Sequence, residues 1–428
     1  MTTLLILILL VALLLTGAPI FAALGFASVI VSLLTEGNIN AMAENAFGKL
    51  NNDLLVAIPM FAFMAHIMIR SKVVDHLYDA ANAMFGHLRG GLGIATVAAC
   101  TVFAAISGSS VATALTIGSS AIPQMQRFGY RSTAAYGVIA AGGTLGILIP
   151  PSGPMILYAI VTEVSIGALF VAGIIPGLMM ALIFSTYCMV HATLSGEVIK
   201  QDWVGWRRCG AAIRTSIWAL LMPPTVLGGI YFGIFTASEA AAVGCIYALL
   251  VGVAIYRNFG WTELWETAFE TVRTTAMLFM ILAAAGMFGH AVTIIRLPAE
   301  LVELVVAQGL TAMHFVLAVM AVIFILGMFL ETISIILITT PIVFPVLLKL
   351  GVDPIWYGIL LMINLELALI TPPVGMNLFV IQGIAKAPLG KVIAGALPYV
   401  VLMMLGLVIV LLVPALATFL PELAGFGR

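Results

Sequence analysis

Charge is what this sequence has least of. Only 8% of its 428 residues are Asp, Glu, Lys or Arg, against about 25% in soluble domains. With 63% hydrophobic residues, the chain reads as a polytopic membrane protein. The net charge of −1 gives no sign of nucleic-acid binding. Cys100, Cys188, Cys209 and Cys245 have no paired spacing, so they read as small buried hydrophobes rather than disulfide partners or a metal site. His66, His191 and His290 show no ligand spacing and read as core or interface residues. No G-x-x-x-x-G-K-[ST] and no H-E-x-x-H occurs, so neither an ATP-driven engine nor a zinc-dependent membrane protease is expected in this chain. No Lys or Arg precedes Lys49. The apolar start therefore lacks the basic flank of a signal peptide and reads as a retained first helix, broken near Gly17-Ala18-Pro19.

Prolines and glycines carry the organisation. Sliding the chain by 222 residues brings "LGILIPPSGPMIL" (145–157) onto "LALITPPVGMNLF" (367–379). Pro123 meets Pro345, Gly129 meets Gly351 and Pro176 meets Pro398 without a gap. Two repeats are expected: 1–193 and 215–428, joined by a basic linker at 194–214. Within the first, "GLGIATVAACTVFAAI" and "VATALTIGSSAIPQM" flank Ser107-Gly108-Ser109-Ser110. Each arm is too short to cross a hydrocarbon core of about 30 Å comfortably at about 1.5 Å per residue. They predict a re-entrant hairpin over about 91–126, and the shift predicts a second over about 312–348. Broken helices are expected over about 134–163 and 355–384, interrupted at Pro150-Pro151 and Pro372-Pro373.

Treating both hairpins as re-entrant leaves an odd number of crossings per half, so the halves insert with opposite orientation. Of the 17 Lys and Arg residues, only Lys49, Arg296, Lys349 and Arg428 then fall on one face. The positive-inside rule makes the other face cytoplasmic and both termini periplasmic. In "WTELWETAFETV" (261–272), apolar residues recur at helical spacing opposite Glu263, Glu266 and Glu270; this predicts a helix lying in the interface plane. It and 74–88 either brace a rigid frame or simply connect.

Polar atoms gather at membrane depth only at the two tips and the two breaks. Matched broken helices point to a transporter's midplane site. Carbonyl ends and hydroxyls suit a hard cation such as Na⁺, and helix N-termini suit a carboxylate. The first cation site is assigned to Ser107, Gly108, Ser109, Ser110, Pro150, Ser152 and Gly153. The second is assigned to Gly327, Glu331, Thr332, Thr371, Pro372 and Gly375. Ser109, Ser110, Thr332 and Asn377 are candidates to face substrate. The competing reading is that Ser and Gly in membrane helices serve packing or bond back along their own helix. Glu331 either completes a cation site or sits protonated and hydrogen-bonded, and Glu366 lies close before the second break. Glu239 reads as a first-turn residue of a helix capped by Thr236 or Ser238.

The stretches "SGSSVATALTIGSSAIPQM", "GGTLGILIPPSGPMI", "GIFTASEAAAVG" and "NLELALITPPVGMNLFVI" resemble the large membrane subunit of tripartite ATP-independent periplasmic (TRAP) transporters, over nearly the whole chain. The resemblance implies an all-α elevator-type transporter rather than an enzyme. It also implies Na⁺ bound at the tips and breaks, organic-acid import across the bacterial inner membrane, and two partners: a small four-helix membrane subunit and a periplasmic solute-binding protein. A stand-alone ion-coupled exporter or antiporter of the same architecture is the rival within the class. A channel or scaffold subunit is the rival outside it.

Overall fold

Backbone amides surrounded by lipid have no water to bond, so a spanning segment must satisfy its own hydrogen bonds. The computed structural model follows that rule: among the described residues (10, 12–13, 16–195 and 201–426) there is no strand. The expected break at Gly17-Ala18-Pro19 is present as a non-helical turn before Ile20, while most of the helix expected before it lies outside this range.

Among the described residues nineteen α-helices follow one another. They are α1 (Ile20–Thr35), α2 (Asn40–Leu50), α3 (Ala57–Arg70), α4 (Val73–Phe85), α5 (Gly91–Ser107), α6 (Ser110–Arg127), α7 (Ser132–Leu148), α8 (Gly153–Thr162), α9 (Ile166–Ser195) and α10 (Trp206–Tyr231). Then come α11 (Ala237–Leu250), α12 (Trp261–Ile294), α13 (Leu297–Ala307), α14 (Ala312–Gly327), α15 (Thr332–Lys349), α16 (Pro354–Leu369), α17 (Met376–Ala385), α18 (Leu389–Leu412) and α19 (Ala415–Leu423). The bounds of α6 and α15 differ by 222 residues at both ends, and Pro176 within α9 stands at the same offset from Pro398 within α18.

Among the described residues seven helical segments are long and apolar enough to cross a membrane. One is the whole of 132–162, with its break included, and another is α15 alone. The other arm of that hairpin, α14, has 16 residues and is too short by the same measure. Each pair of hairpin arms packs together, α5 on α6 and α14 on α15. The helices then interlock across the chain: α8, after the first break, packs on α15, while α17, after the second, packs on α6. Outside this core, α3 pairs with α11 and α1 with α12. Thr236 caps α11: its Oγ1 accepts the Glu239 N–H at 3.3 Å, and Glu239 Oε2 accepts the Thr236 N–H at 2.8 Å.

One expectation is corrected. The stretch 261–272 is not a separate in-plane helix but the start of α12, which runs unbroken for 34 residues. Its Trp261, Trp265, Phe269 and Val272 point outward and are exposed, whereas Thr267, Thr271 and Thr275 form the buried stripe. Where the outer solvent is lipid, helices meet through small and hydroxylated residues and turn their large apolar side chains out. Helical periodicity identified the two faces but not where the helix ends.

Candidate functional site

The first tip is built by a glycine and a cap. Chain reversal after α5 needs a left-handed residue, and Gly108 supplies it at φ +59. A Cβ there would stand 2.5 Å from the Pro151 carbonyl oxygen, so the tip lies directly against the first break. Ser109 caps α6, with its Oγ accepting the Ala112 N–H at 3.3 Å. On the other side α7 presses in at Gly146, where a Cβ would come within 2.5 Å of the Ser109 carbonyl carbon and oxygen.

The hydroxyl protons here can be assigned. Thr113 Oγ1 donates to the Ser109 carbonyl at 2.8 Å; with that proton so used, its 3.0 Å contact with Ser107 Oγ needs the proton of Ser107, whose Oγ also stands 3.5 Å from the Ser109 carbonyl. Both serine oxygens keep lone pairs, and the carbonyl end of α5 converges on the same spot. Ser110 Oγ donates to Glu366 Oε1 across 256 residues of sequence. Glu366 is fully buried, and its Oε2 has no partner among the described residues. The same holds for the buried Ser152 Oγ and for both amide atoms of Asn377.

At the second tip, the Gly375 N–H donates to the Met328 carbonyl at 3.4 Å, so this tip and break also touch. Gly327 packs against Ala368. Thr371 Oγ1 donates to the Leu367 carbonyl at 2.6 Å, turning its hydroxyl back onto its own helix. Both Pro–Pro bonds, 150–151 and 372–373, are cis. Glu331 takes the cap position of α15 but makes no side-chain cap bond.

The two tips meet at one cavity of about 300 Å³. Ser107, Gly108, Ser109, Ser110 and Gly153 line it from the first half, and Glu331 and Thr332 from the second. Pro151 and Met376 add an edge of each break. Of the residues singled out from sequence, Pro150, Ser152, Gly327, Thr371, Pro372, Gly375 and Asn377 are not among its lining. Asn377 instead is buried beside α7, its Nδ2 3.5 Å from the position of a Cβ on Gly143. The opposite wall comes from α3 (Ile58, Phe61, Ala62, Ala65, His66, Ile69) and α12 (Thr274, Met277, Leu278). Sequence reasoning passed over this wall and set His66 aside as a core or interface residue. It also missed Thr113, whose only signal was its place one turn beyond the tip. A larger groove of about 520 Å³ beside α4, α5 and α9 is almost wholly aliphatic and offers no charged group to a solute.

Hard oxygen donors at two hairpin tips, joined to broken helices around a single cavity inside a multi-pass helical bundle, define a membrane transporter. The family model for the tripartite ATP-independent periplasmic transporter, DctM component, matches residues 7–416. The chain belongs to that family of large permease subunits, which are transporters and not enzymes. It is 41% identical to the C4-dicarboxylate TRAP transporter large permease protein DctM of Pseudomonas aeruginosa, over 93% of each chain. It is 33% identical to the ectoine TRAP transporter large permease protein TeaC of Halomonas elongata, over 97% of each. The crystal structure of the Alcanivorax borkumensis YdaH transporter shares the fold, with a TM-score of 0.60 over 91% of this chain and 88% of that one at 14% identity.

Proposed function

We propose that this large permease imports a carboxylate-bearing solute, driven by Na⁺ and carried by an elevator movement of the hairpins and broken helices against the outer helices. The observation that carries the reading is the shared cavity. Both tips and the edges of both breaks open onto it, while its far wall belongs to α3 and α12. A solute held there by the tips would travel with them past a fixed wall.

The donor set fits Na⁺. At the first tip, Ser107 to Ser110 offer hydroxyl and carbonyl oxygens beside the Pro151 carbonyl, with Pro150, Ser152 and Gly153 in the adjoining break. At the second, Gly327, Glu331 and Thr332 face Thr371, Pro372 and Gly375 across the Met328–Gly375 contact. Uncharged hard oxygens with one carboxylate nearby suit a small monovalent cation. The N-termini of α6 and α15, with Ser109, Ser110 and Thr332 at or beside them, are placed to receive the solute's carboxylate; Asn377 lies behind them. C4-dicarboxylates and ectoine, named for two relatives, share that group. A small four-helix membrane subunit and a periplasmic solute-binding protein complete the transporter in the bacterial inner membrane, with both termini periplasmic. The test is uptake into vesicles carrying the complete transporter, measured against Na⁺ concentration for the Ser109→Ala, Ser110→Ala double variant. The expected result is a weakened Na⁺ dependence; an unchanged one removes the first tip from cation binding.

A further inference from the structure

We propose that His66 reads a hydrogen-bond donor on the transported solute, a hydroxyl or N–H carried beside its carboxylate. The proposal deepens the carboxylate reading and rests on it. His66 lies on the α3 wall of the cavity, where its neighbours Ile58, Phe61, Ala62, Ala65 and Ile69 are all apolar. It is therefore the polar point on that helix's share of the site.

The proton on its ring can be placed. Thr271 Oγ1, on α12, donates to the Thr267 carbonyl at 2.8 Å, and a threonine hydroxyl has one proton to give. With that proton so used, the 3.0 Å contact between Thr271 Oγ1 and His66 Nδ1 forms only if the ring donates. With Nδ1–H committed to buried Thr271, the neutral ring presents the lone pair of Nε2. No described residue bonds that nitrogen, and the ring lines the cavity. Arg70 and Glu270, the charged groups that act on the ring, are paired with each other and with Glu266 on the α3–α12 seam. From the tips, Glu331 is the ionisable group on the cavity lining. A fixed acceptor on an otherwise apolar helix face rejects a solute that leaves it unpaired and favours one that donates to it. Hydroxy-, amino- or amido-carboxylates meet that requirement, whereas a plain dicarboxylate does not.

The test compares malate with succinate, which differ by one hydroxyl, as probes binding to the purified full-length protein by scintillation proximity in Na⁺ at pH 8. Malate is expected to bind roughly three- to tenfold more tightly, the worth of one hydrogen bond. His66→Asn places an amide N–H where Nδ1–H was and keeps the Thr271 bond, but deletes Nε2; the preference should vanish. His66→Gln places an amide oxygen near the position of Nε2 and should keep it. A His66→Asn protein that still prefers malate overturns the proposal, as does an unmodified protein that binds both probes equally. If the unmodified protein binds neither probe, the carboxylate reading itself falls and takes this proposal with it. Histidine-selective ¹⁵N NMR of the unmodified protein decides independently of any variant: a protonated Nδ1 upholds the assignment, and a bare Nδ1 overturns it.

Discussion

Gly146→Ala puts the tip geometry to its most direct test. The new methyl would sit 2.5 Å from the carbonyl carbon and oxygen of Ser109 and 2.6 Å from the Ser110 nitrogen. That is about 0.9 Å inside the 3.4 Å at which ordinary contact begins. Every atom it meets is backbone, so no side-chain rotation relieves the clash, and either α7 or the tip must move. Overpacking of this kind costs about 1–3 kcal/mol. The same peptide carries the Ser109 cap of α6 and the Ser110 bond to Glu366, so a displaced tip loses both alignments. A binding site tolerates about 0.5 Å of error, less than the shift required. The assay is thermal unfolding of the purified chain in rising NaCl, with KCl as reference, because a ligand that binds only the folded state raises its stability. Gly146→Ala should lower the baseline midpoint and raise the Na⁺ concentration needed for stabilisation at least about fivefold, the factor that 1 kcal/mol represents. The control is Gly383→Ala on α17, where a Cβ meets nothing within 4 Å; it should leave the Na⁺ response unchanged. A Gly146→Ala protein with the wild-type midpoint and Na⁺ response would refute the idea that α7 sets the tip.

Two further outcomes follow from individual bonds. Glu366→Ala removes a fully buried side chain and strands the Ser110 hydroxyl, so it should cost about 2–5 kcal/mol; Glu366→Gln keeps an oxygen for Ser110 and should cost clearly less, both read from unfolding midpoints. Tyr158→Phe deletes the 2.7 Å bond from the phenol to the Pro354 carbonyl that ties α8 to the start of α16. The loss should be about 0.5–1.5 kcal/mol by the same measurement, with solute selectivity unchanged because neither residue lines the cavity.

The positions of the tips and breaks were legible in the sequence because proline and glycine act locally. Pro150-Pro151, Pro372-Pro373 and Gly108 interrupt helices wherever the rest of the chain goes, and the bounds of α5, α6, α14 and α15 fall within a few residues of the expected hairpins. What pairs with what was not legible. Glu366 stood out as a carboxylate in an apolar run, but its partner Ser110 lies 256 residues away. His66 seemed isolated because Thr271, which fixes its tautomer, is 205 residues distant and on a helix whose continuity no local pattern reveals. Asn377 illustrates the converse. Its place beside the second break was readable, but its burial against Gly143 of the first half depends on how the two halves interlock.

That interlocking bears on the difference between Ser109 and Glu331, which occupy equivalent positions in the two hairpins. Both are the extended residue before the second arm, at φ −141, ψ 126 and φ −70, ψ 146. Ser109 spends its oxygen on the Ala112 N–H of its own helix. Glu331 makes no such bond, and its carboxylate is left at the cavity beside Thr332. The first tip has a carboxylate too, lent by the second half, because Ser110 holds Glu366, but that group is fully buried and absent from the cavity lining. Each tip is thus served by one acid, reachable at the second and walled off at the first. In the proposed Na⁺-coupled reading, a cation arriving at the second tip would meet the half-buried Glu331 at the cavity, whereas one arriving at the first would meet hydroxyl and carbonyl oxygens with Glu366 behind them. In the same proposal an ionised Glu331 would repel a solute carboxylate until that cation is in place, while the N-terminus of α6 has no acid on the cavity lining. On that proposal the N-terminus of α6 is the better placed of the two to receive the solute's carboxylate, with the donor group that His66 would read extending toward α3.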